Sequence, residues 1–351
     1  MNIISNWFRR HLSDQQVVIL MALLAAGLII VLFFGHMLVP FFASLVIAYL
    51  LEAPVRFLGR VGLPRLAAVI LVFALFLTLL FIGFFWLVPI LIKQVTQLIQ
   101  QLPVMISEAQ TALMTLPERY PRLISENQLH EIATTLRAEV VRQAQKLLSV
   151  SMSSVLGLVT LLVYLVLMPI LVFFFLKDKD RILEWVQGFL PQERTLAITV
   201  WQEVNGQIGN YIRGKILEIL IVWAVTGVTF WLLDINYAML LGFLVGISVL
   251  IPYVGAAVVT LPVALVAYFQ WGLNQQFFYV LIAYAVIQLL DGNLLAPLLL
   301  SEAVNLHPVA IIAAILVFGG IWGFWGIFFA IPLATLINAI INAWPRESLV
   351  N

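Results

Sequence analysis

Cysteine is absent from this chain of 351 residues, and only 10% of its residues are charged. The missing cysteine excludes disulfide bonds, thiolate metal sites and cysteine nucleophiles. The 18 Lys and Arg residues nearly balance the 17 Asp and Glu residues, so no net field attracts nucleic acid. The four histidines show no metal-ligand spacing, and we therefore expect neither a metal nor another cofactor.

Motifs of catalysis and nucleotide binding are missing too. The chain contains no P-loop, no H-E-x-x-H, no G-x-S-x-G and no acid–histidine cluster. We predict that the protein is not an enzyme and that it draws no energy from nucleotide hydrolysis.

Apolar residues dominate the chain. Hydrophobic residues make up 63% of it, and the mean hydropathy is +1.09. A soluble domain is near half apolar and a quarter charged, so this chain cannot bury its apolar surface in one water-facing core. The sequence predicts an all-α integral membrane protein whose solvent is the lipid bilayer.

A helix needs about 20 apolar residues to cross a bilayer core about 30 Å thick. About eight segments qualify. We interpret the first two as a tight hairpin broken at Gly35 and His36, and the first as a retained anchor, because no signal-peptide cleavage pattern follows it. The segments are residues 17–34, 37–51, 66–91, 155–176, 216–233, 238–271, 277–300 and 309–344.

Between these spans, apolar residues recur every three or four positions in residues 95–113 and 129–147, which predicts an amphipathic helical hairpin outside the membrane. A further stripe runs from Leu196 to Ile212 in steps of four and fits either the bilayer surface or helix packing, of which we favour packing. We expect four regions: helices 1–3 in 1–92, the external hairpin in 93–154, the fourth span with cytoplasmic amphipathic helices in 155–215, and a transport core in 216–351.

Basic residues lie near short loops at three places, residues 9–10, 56–65 and 177–215. The positive-inside rule places all three in the cytoplasm of a bacterial cell. Both termini are then expected in the cytoplasm, with the external hairpin on the periplasmic side of the inner membrane.

Two segments are too long for one upright crossing, because 238–271 and 309–344 would each be about 50 Å long as single helices. Pro252 and Gly255 lie at the middle of the first, and Gly319, Gly323 and Gly326 at the middle of the second. Proline removes a backbone donor and glycine weakens a helix, so both centres are expected break points.

The two long segments also correspond. Asn236 and Asn305 precede them at an offset of 69 residues, and Pro262 and Pro332 close them at an offset of 70. We predict an approximate duplication of one helix plus one broken segment, with chance similarity of apolar runs as the alternative. Re-entrant hairpins would make inverted repeats, which are typical of transporters, whereas full crossings would make parallel repeats and eight spans.

Four blocks carry a resemblance to a known family. They are residues 211–218 (YIRGKILE), 246–256 (GISVLIPYVGA), 290–308 (LDGNLLAPLLLSEAVNLHP) and 318–336 (FGGIWGFWGIFFAIPLATL). With these blocks, in the family's order, the chain resembles the AI-2E family of bacterial permeases. The resemblance implies an eight-helix inner-membrane permease, of a family with some members linked to export of autoinducer-2 and others to sodium/proton antiport. It does not fix the substrate.

Acidic side chains inside the apolar last third are the first site candidates. Asp291 is flanked by Gln288 and Asn293, and an intramembrane acid marks a proton or cation route unless it only caps a helix break. No Lys or Arg occurs between residues 216 and 345, so Asp291 is expected to lack a local basic partner, which favours protons, cations or neutral polar solutes over anions. Glu218 fits either an interfacial salt bridge with Arg213 or Lys215 or a coupling site.

The break points form the second group of candidates. Exposed backbone at Pro252, Tyr253 and Gly255, and at Gly319, Gly323, Trp325 and Gly326, is expected to line a substrate cavity. The alternative for Gly319 and Gly323, and the favoured one for Gly242 and Gly246, is helix packing. Asn305 fits a structural cap better than a ligand.

These features predict a secondary transporter that works by alternating access, with an oligomeric channel or passive exporter as the alternative. Its expected partners are the lipid bilayer, a small polar solute or a cation such as a proton or sodium, and further copies of the chain.

Overall fold

The computed structural model describes residues 15–114, 142, 155–189, 195–252, 254–300 and 306–343. Every regular element in these ranges is helical, which confirms the all-α expectation for them. π-helical turns at Gly83–Leu87 and at Asp291–Leu295 each join two successive helices. The helices are α1 (Gln15–Arg60), α2 (Arg65–Ile82), α3 (Val88–Met114), α4 (Val155–Lys177), α5 (Lys179–Gly188), α6 (Thr195–Leu232), α7 (Ala238–Ser248), α8 (Val254–Trp271), α9 (Gln275–Leu290), α10 (Ala296–Leu300) and α11 (Pro308–Ala343).

Within the described ranges, six helical stretches are long and apolar enough to cross a bilayer. Two shorter apolar helices, Val163–Lys177 and Ala238–Ser248, accompany them. The protein is therefore a multi-pass membrane protein. The six stretches are Met37–Arg60, Arg65–Glu108, Asn205–Leu232, Val254–Trp271, Gln275–Leu300 and Pro308–Ile341.

The predicted amino-terminal hairpin is wrong, because α1 is one helix of 46 residues. Its length is about 69 Å at 1.5 Å per residue. Glycine inside a helix costs only about 1 kcal/mol relative to alanine, so Gly35 and His36 do not break a helix that continues on both sides. Helix α1 therefore does not turn back between residues 17 and 51.

A long helical path follows, since α2, the π turn and α3 are continuous from Arg65 to Met114. The first amphipathic half of the predicted external hairpin is therefore an extension of the third span. Leu98, one of its apolar positions, is half-buried against the apolar core that includes Leu240 and Leu241 of α7. The second half, residues 129–147, lies outside the described residues apart from Arg142.

The amino-terminal helices α1, α2 and α4 share one apolar core, formed by small and β-branched side chains such as Ala48, Ala68 and Val172. At one end of this core, the buried Glu52 carboxylate accepts hydrogen bonds from Lys179 Nζ at 2.9 Å and from Arg56 Nε at 3.2 Å. Arg65 donates to the Leu176 carbonyl at 3.3 Å. Arg56 and Arg65 of one predicted basic group and Lys179 of another thus lie at the same end of this bundle.

Helix α6 runs without a break through residues 215 and 216, so the predicted amphipathic stripe and the following span belong to one helix. Ile208 and Ile212 of the stripe pack against α1 and α11, in agreement with the packing interpretation. Gly242 of α7 touches the backbone of Gly227 on α6, and a Cβ added to Gly242 would lie 2.7 Å from the Gly227 Cα. The Gly242 and Gly246 notch is therefore a packing surface.

The first long segment folds back on itself as hairpin 1, made of α7, the turn at residues 249–252 and α8. A Cβ added to Gly255 would collide with the carbonyl oxygen of Ser248, so the two limbs touch at the turn. At the open end, Asn236 N donates to Gln270 Oε1 at 2.7 Å, and Gln270 Nε2 donates to the Asp234 carbonyl at 2.7 Å. The start and end of the segment are therefore neighbours.

The second long segment folds back in the same way, at Gly323 of α11, whose φ of 60° and ψ of −134° interrupt the helix. A Cβ added to Gly326 would collide with the Phe318 carbonyl oxygen. Residues eight apart in a straight helix would be separated by about 12 Å. The limbs before and after Gly323 therefore form hairpin 2, and Gly326 occupies the position that Gly255 has in hairpin 1.

Candidate functional site

A stripe of buried side chains on α6 faces the interior of the carboxyl-terminal half. Spacings of four, three, four and four residues put its five members on one side of the helix. All five are buried, although four of them are polar or ionisable. In a bilayer, such polar side chains face the protein interior or a water-filled cavity and mark functional positions. They are Tyr211, Lys215, Glu218, Val222 and Thr226.

Lys215 and Glu218 form a buried ion pair on this stripe. The Lys215 Nζ lies 2.9 Å from Glu218 Oε2, and each residue is only 2% exposed. This is the salt bridge that one sequence interpretation expects for Glu218, but the pair lies inside the protein instead of at an exposed interface. Lys215 therefore does not act as a loop charge for the positive-inside rule.

Asp291 lies opposite, as the first residue of the π turn after α9. It is 9% exposed, and its Oδ1 is buried without a hydrogen-bond partner among the described residues. The Asp291 carboxylate feels the charges of both members of the ion pair. Lys215 attracts it, and Glu218 repels it. No ion pair of Asp291 occurs among the described residues, but the Lys215 ammonium, one residue before the base-free region, lies within electrostatic range of its carboxylate.

We call Lys215, Glu218 and Asp291 the charge cluster. It holds one base and two acids, so its formal charge is −1 when all three groups are ionised. An uncompensated charge in a low-dielectric interior costs several kcal/mol, and binding of one monovalent cation or proton would remove that charge. The arrangement therefore favours cation binding over anion binding.

Helix α9 connects the charge cluster to hairpin 1. Tyr284 and Gln288 lie seven and three residues before Asp291, on the same face of the helix. The Tyr284 hydroxyl donates to the Ala256 carbonyl at 2.7 Å, next to the hairpin turn. Gln288 Nε2 is buried and unpaired within the described part of the chain. Gln288 thus remains near Asp291 as the sequence predicts.

A cavity of about 310 Å³ lies between α6 and the helices on either side of the π turn. Asp291 supplies the single ionisable side chain in its lining, and the other described lining residues are aliphatic. A polyol would need several hydrogen-bonding groups to replace its water shell. The accessible wall of this cavity is apolar and offers no such groups, and Asp291 is the one residue of the described lining that could bind a cation. Its aliphatic lining is Ile221, Val222, Val225, Ile287, Leu290, Leu294, Leu295 and Leu298.

Hairpin 2 approaches the other end of the stripe. Ile311 from its first limb and Ile331 from its second both pack on the cluster that contains Tyr211. The Tyr211 hydroxyl is buried and makes no hydrogen bond with the described residues. Gly214 makes room for α10 beside Lys215, because a Cβ added there would lie 2.5 Å from the Leu299 carbonyl oxygen.

The remaining predicted residues are spread over several places. Asn293 is exposed and donates to the Leu289 carbonyl at 2.9 Å, so its amide stabilises the π turn and does not join the charge cluster. Pro252 lies in the turn of hairpin 1, while Trp325 of hairpin 2 stacks with Phe329 at 6.3 Å between ring centroids. Tyr253 and Asn305 lie outside the described residues.

Gly319 faces Ile327 across hairpin 2, with 2.9 Å between an added Cβ and the Ile327 Cγ1, so it serves close packing of the limbs. Gly323 is exposed at the turn. No group of three or more potential metal ligands occurs among the described residues.

Sequence reasoning did not single out Tyr211 and Thr226, and it treated Lys215 as a cytoplasmic charge. One signal was available: Tyr211, Lys215 and Glu218 follow the same four-and-three spacing as the apolar positions that continue to Val222. Ionisable residues at positions that continue the apolar spacing of a helix lie on its apolar face, which indicates that they are buried.

Comparison with known proteins gives a match over nearly the whole chain. The model of the family described as AI-2E family transporter matches residues 19–346. PerM of Escherichia coli strain K12, named as a candidate permease, is 46% identical over 345 residues, which are 98% of each chain. YrrI of Bacillus subtilis strain 168, named as a candidate transport protein, is 27% identical over 312 residues, 86% of this chain and 85% of YrrI. The AI-2 transport protein TqsA of E. coli strain K12 is 26% identical over 346 residues, 94% of this chain and 93% of TqsA.

Proposed function

The chain belongs to the AI-2E family of transporters, and from that premise we propose that it is an inner-membrane permease whose transport is coupled to a monovalent cation. The coupling site is the charge cluster. The observation that supports this proposal is a buried group of one base and two acids, in which Asp291 Oδ1 has no donor from the described residues.

Cation binding at Asp291 is favoured by the charge balance of the cluster. Lys215 is held by Glu218 at 2.9 Å, so its ammonium compensates one carboxylate at close range and the other only more weakly. A proton or sodium ion on Asp291 makes the whole cluster neutral. A neutral cluster can move through or reorient within the low-dielectric interior at a much lower free-energy cost than a charged one.

Alternating access is proposed to involve the two hairpins. Helix α7 has 11 residues and spans about 16 Å, roughly half of the hydrocarbon core, which fits a re-entrant limb that enters the bilayer and turns back. Hairpin 1 is bonded to α9 through Tyr284, and hairpin 2 packs beside Tyr211. Both hairpins therefore contact elements that carry the charge cluster, and their inverted arrangement is the form of duplication that we propose.

The transported solute is proposed to be a small polar molecule or the cation itself. An autoinducer-2-like solute would need hydrogen-bonding groups that the aliphatic lining of the Asp291 cavity does not offer. A proton needs only the carboxylate, and a sodium ion can keep part of its water shell while the carboxylate binds it, so we favour sodium/proton exchange as the basal activity of this site.

The test uses proteoliposomes that contain a pH-sensitive dye, with a sodium gradient applied from outside. Wild-type protein is expected to change the internal pH upon addition of sodium, and Asp291→Asn is expected to lower this rate at least tenfold. Asp234→Asn is the matched control, since Asp234 is exposed in the turn before α7 with a φ of 55° that asparagine tolerates. Wild-type flux in Asp291→Asn would rule out the coupling site, and unitary currents would identify a channel instead of a carrier.

A further inference from the structure

A second cavity lies at the end of the amino-terminal bundle, far in sequence from the charge cluster. Its volume is about 360 Å³, and three arginines line it where α1 ends and α2 begins. In the part of the chain that the structure describes, no acidic side chain belongs to its lining. The lining residues are Val55, Arg56, Gly59, Arg60, Leu63 and Arg65.

The charges of this cavity are only partly compensated by the protein. Arg56 is paired with the buried Glu52 at 3.2 Å, and Arg65 reaches the exposed Asp180 at 3.5 Å. Glu52 is already shared with Lys179 at 2.9 Å. Arg60 makes no ion pair or hydrogen bond with the described residues, so its guanidinium is available to a ligand.

The two helices that form the cavity indicate its position relative to the bilayer. Met37–Arg60 and Arg65–Glu108 are both candidate membrane spans, so the turn between them lies at the boundary between hydrocarbon and water. Large apolar side chains are exposed around this turn, with Phe57 and Val61 each 65% exposed and Leu66 54% exposed. The surface therefore offers guanidinium groups beside an apolar flank.

We propose that this cavity binds the headgroup of an anionic phospholipid, with the acyl chains along Phe57, Val61 and Leu66. Guanidinium groups bind phosphate oxygens in bidentate pairs, and basic pockets at helix ends are suited to anionic lipid headgroups. Free phosphate shares the headgroup chemistry but does not use the apolar flank, which is why the lipid is the favoured ligand. The proposal does not depend on the transport activity.

The test measures binding of phosphatidylglycerol to the intact protein in detergent by native mass spectrometry, with phosphatidylcholine as the neutral probe. Wild-type protein is expected to retain phosphatidylglycerol in preference to phosphatidylcholine. Arg60→Gln is expected to weaken phosphatidylglycerol binding about tenfold, the effect of losing one charge-assisted pair, whereas Arg60→Lys should keep part of the affinity. Because Arg60 has no partner in the described chain, these variants are expected to fold normally.

Lys93→Gln is the matched control, since it removes one exposed positive charge on α3, about 40 Å from Arg65 along the continuous path of α2 and α3. Equal loss of lipid in Lys93→Gln and Arg60→Gln would overturn the proposal in favour of a diffuse charge effect. Unchanged affinity in Arg60→Gln would overturn it directly. Equal affinity for inorganic phosphate and for phosphatidylglycerol would assign the cavity to the free ion and refute the lipid as ligand.

Discussion

Removal of the Lys215 ammonium by Lys215→Met is expected to cost about 3–5 kcal/mol of unfolding free energy, the usual effect of breaking a buried ion pair from one side. Both side chains of the pair are only 3% exposed, so solvent screening does not reduce this value appreciably. The variant would leave Glu218 and Asp291 as two acids without a base between them.

Glu218→Gln is expected to cost clearly less than Lys215→Met. The ammonium that it leaves behind still has the Asp291 carboxylate within electrostatic reach. The double variant Lys215→Met with Glu218→Gln should regain most of the stability, because the pair is then replaced by groups that leave no unpaired charge from it. Removal of the base is therefore expected to lower the unfolding free energy more than removal of one of the two acids.

The measurement is equilibrium unfolding in mixed detergent micelles, followed by the fluorescence of the 10 tryptophans, for the wild type, both single variants and the double variant. A double-mutant cycle then gives the coupling energy of the pair. If Glu218→Gln proved as costly as Lys215→Met, Asp291 would not belong to the same charge cluster, and the cation-binding argument would fail with it.

Three further outcomes are expected. Asp291→Asn should leave the unfolding free energy unchanged or slightly raised, because the unpaired Oδ1 has no hydrogen bond to lose, and the same unfolding assay checks this. Gln94→Leu should cost about 1–3 kcal/mol in that assay, since Gln94 Oε1 accepts from the Leu240 N–H at 2.8 Å, while the exposed Gln97→Leu on the same helix serves as control. Gly326→Ala should force the limbs of hairpin 2 apart and lower both folding yield and transport, whereas Gly320→Ala, with nothing within 4 Å of its added Cβ, should not; equal yields would contradict the tight turn.

The break points could be predicted from the sequence because their signals are local. Pro252, Gly255, Gly323 and Gly326 interrupt runs that are too long to cross the bilayer once, and the chain does fold back at both places. Gly35 led to the same prediction of a break, and that prediction was wrong. Its run continues as one helix, although Pro40 lacks the N–H that would bond the His36 carbonyl, because one glycine and one lost hydrogen bond cost a long helix only a few kcal/mol.

The composition of the charge cluster could be predicted only in part. Asp291 is recognisable as an acid inside an apolar helix, and the structure places it in the interior. The burial of Lys215 is decided by α10 and hairpin 2, which approach α6 through Gly214 and Tyr211 from far along the chain. Periodicity gives the face of a helix, but the depth of a residue depends on which partners cover that face.

Helix α3 is hydrogen-bonded to hairpin 1, and its carboxyl-terminal end extends well beyond these bonds. Gln94 and Gln101 bond to Leu240 and Tyr237 at the start of α7, at 2.8 and 2.7 Å. Met114 lies about 30 Å beyond Gln94, so a tilt of about 10° at that attachment would swing it by roughly 5 Å. A probe fixed near Met114 would therefore amplify small displacements of hairpin 1 into readable distances outside the bilayer.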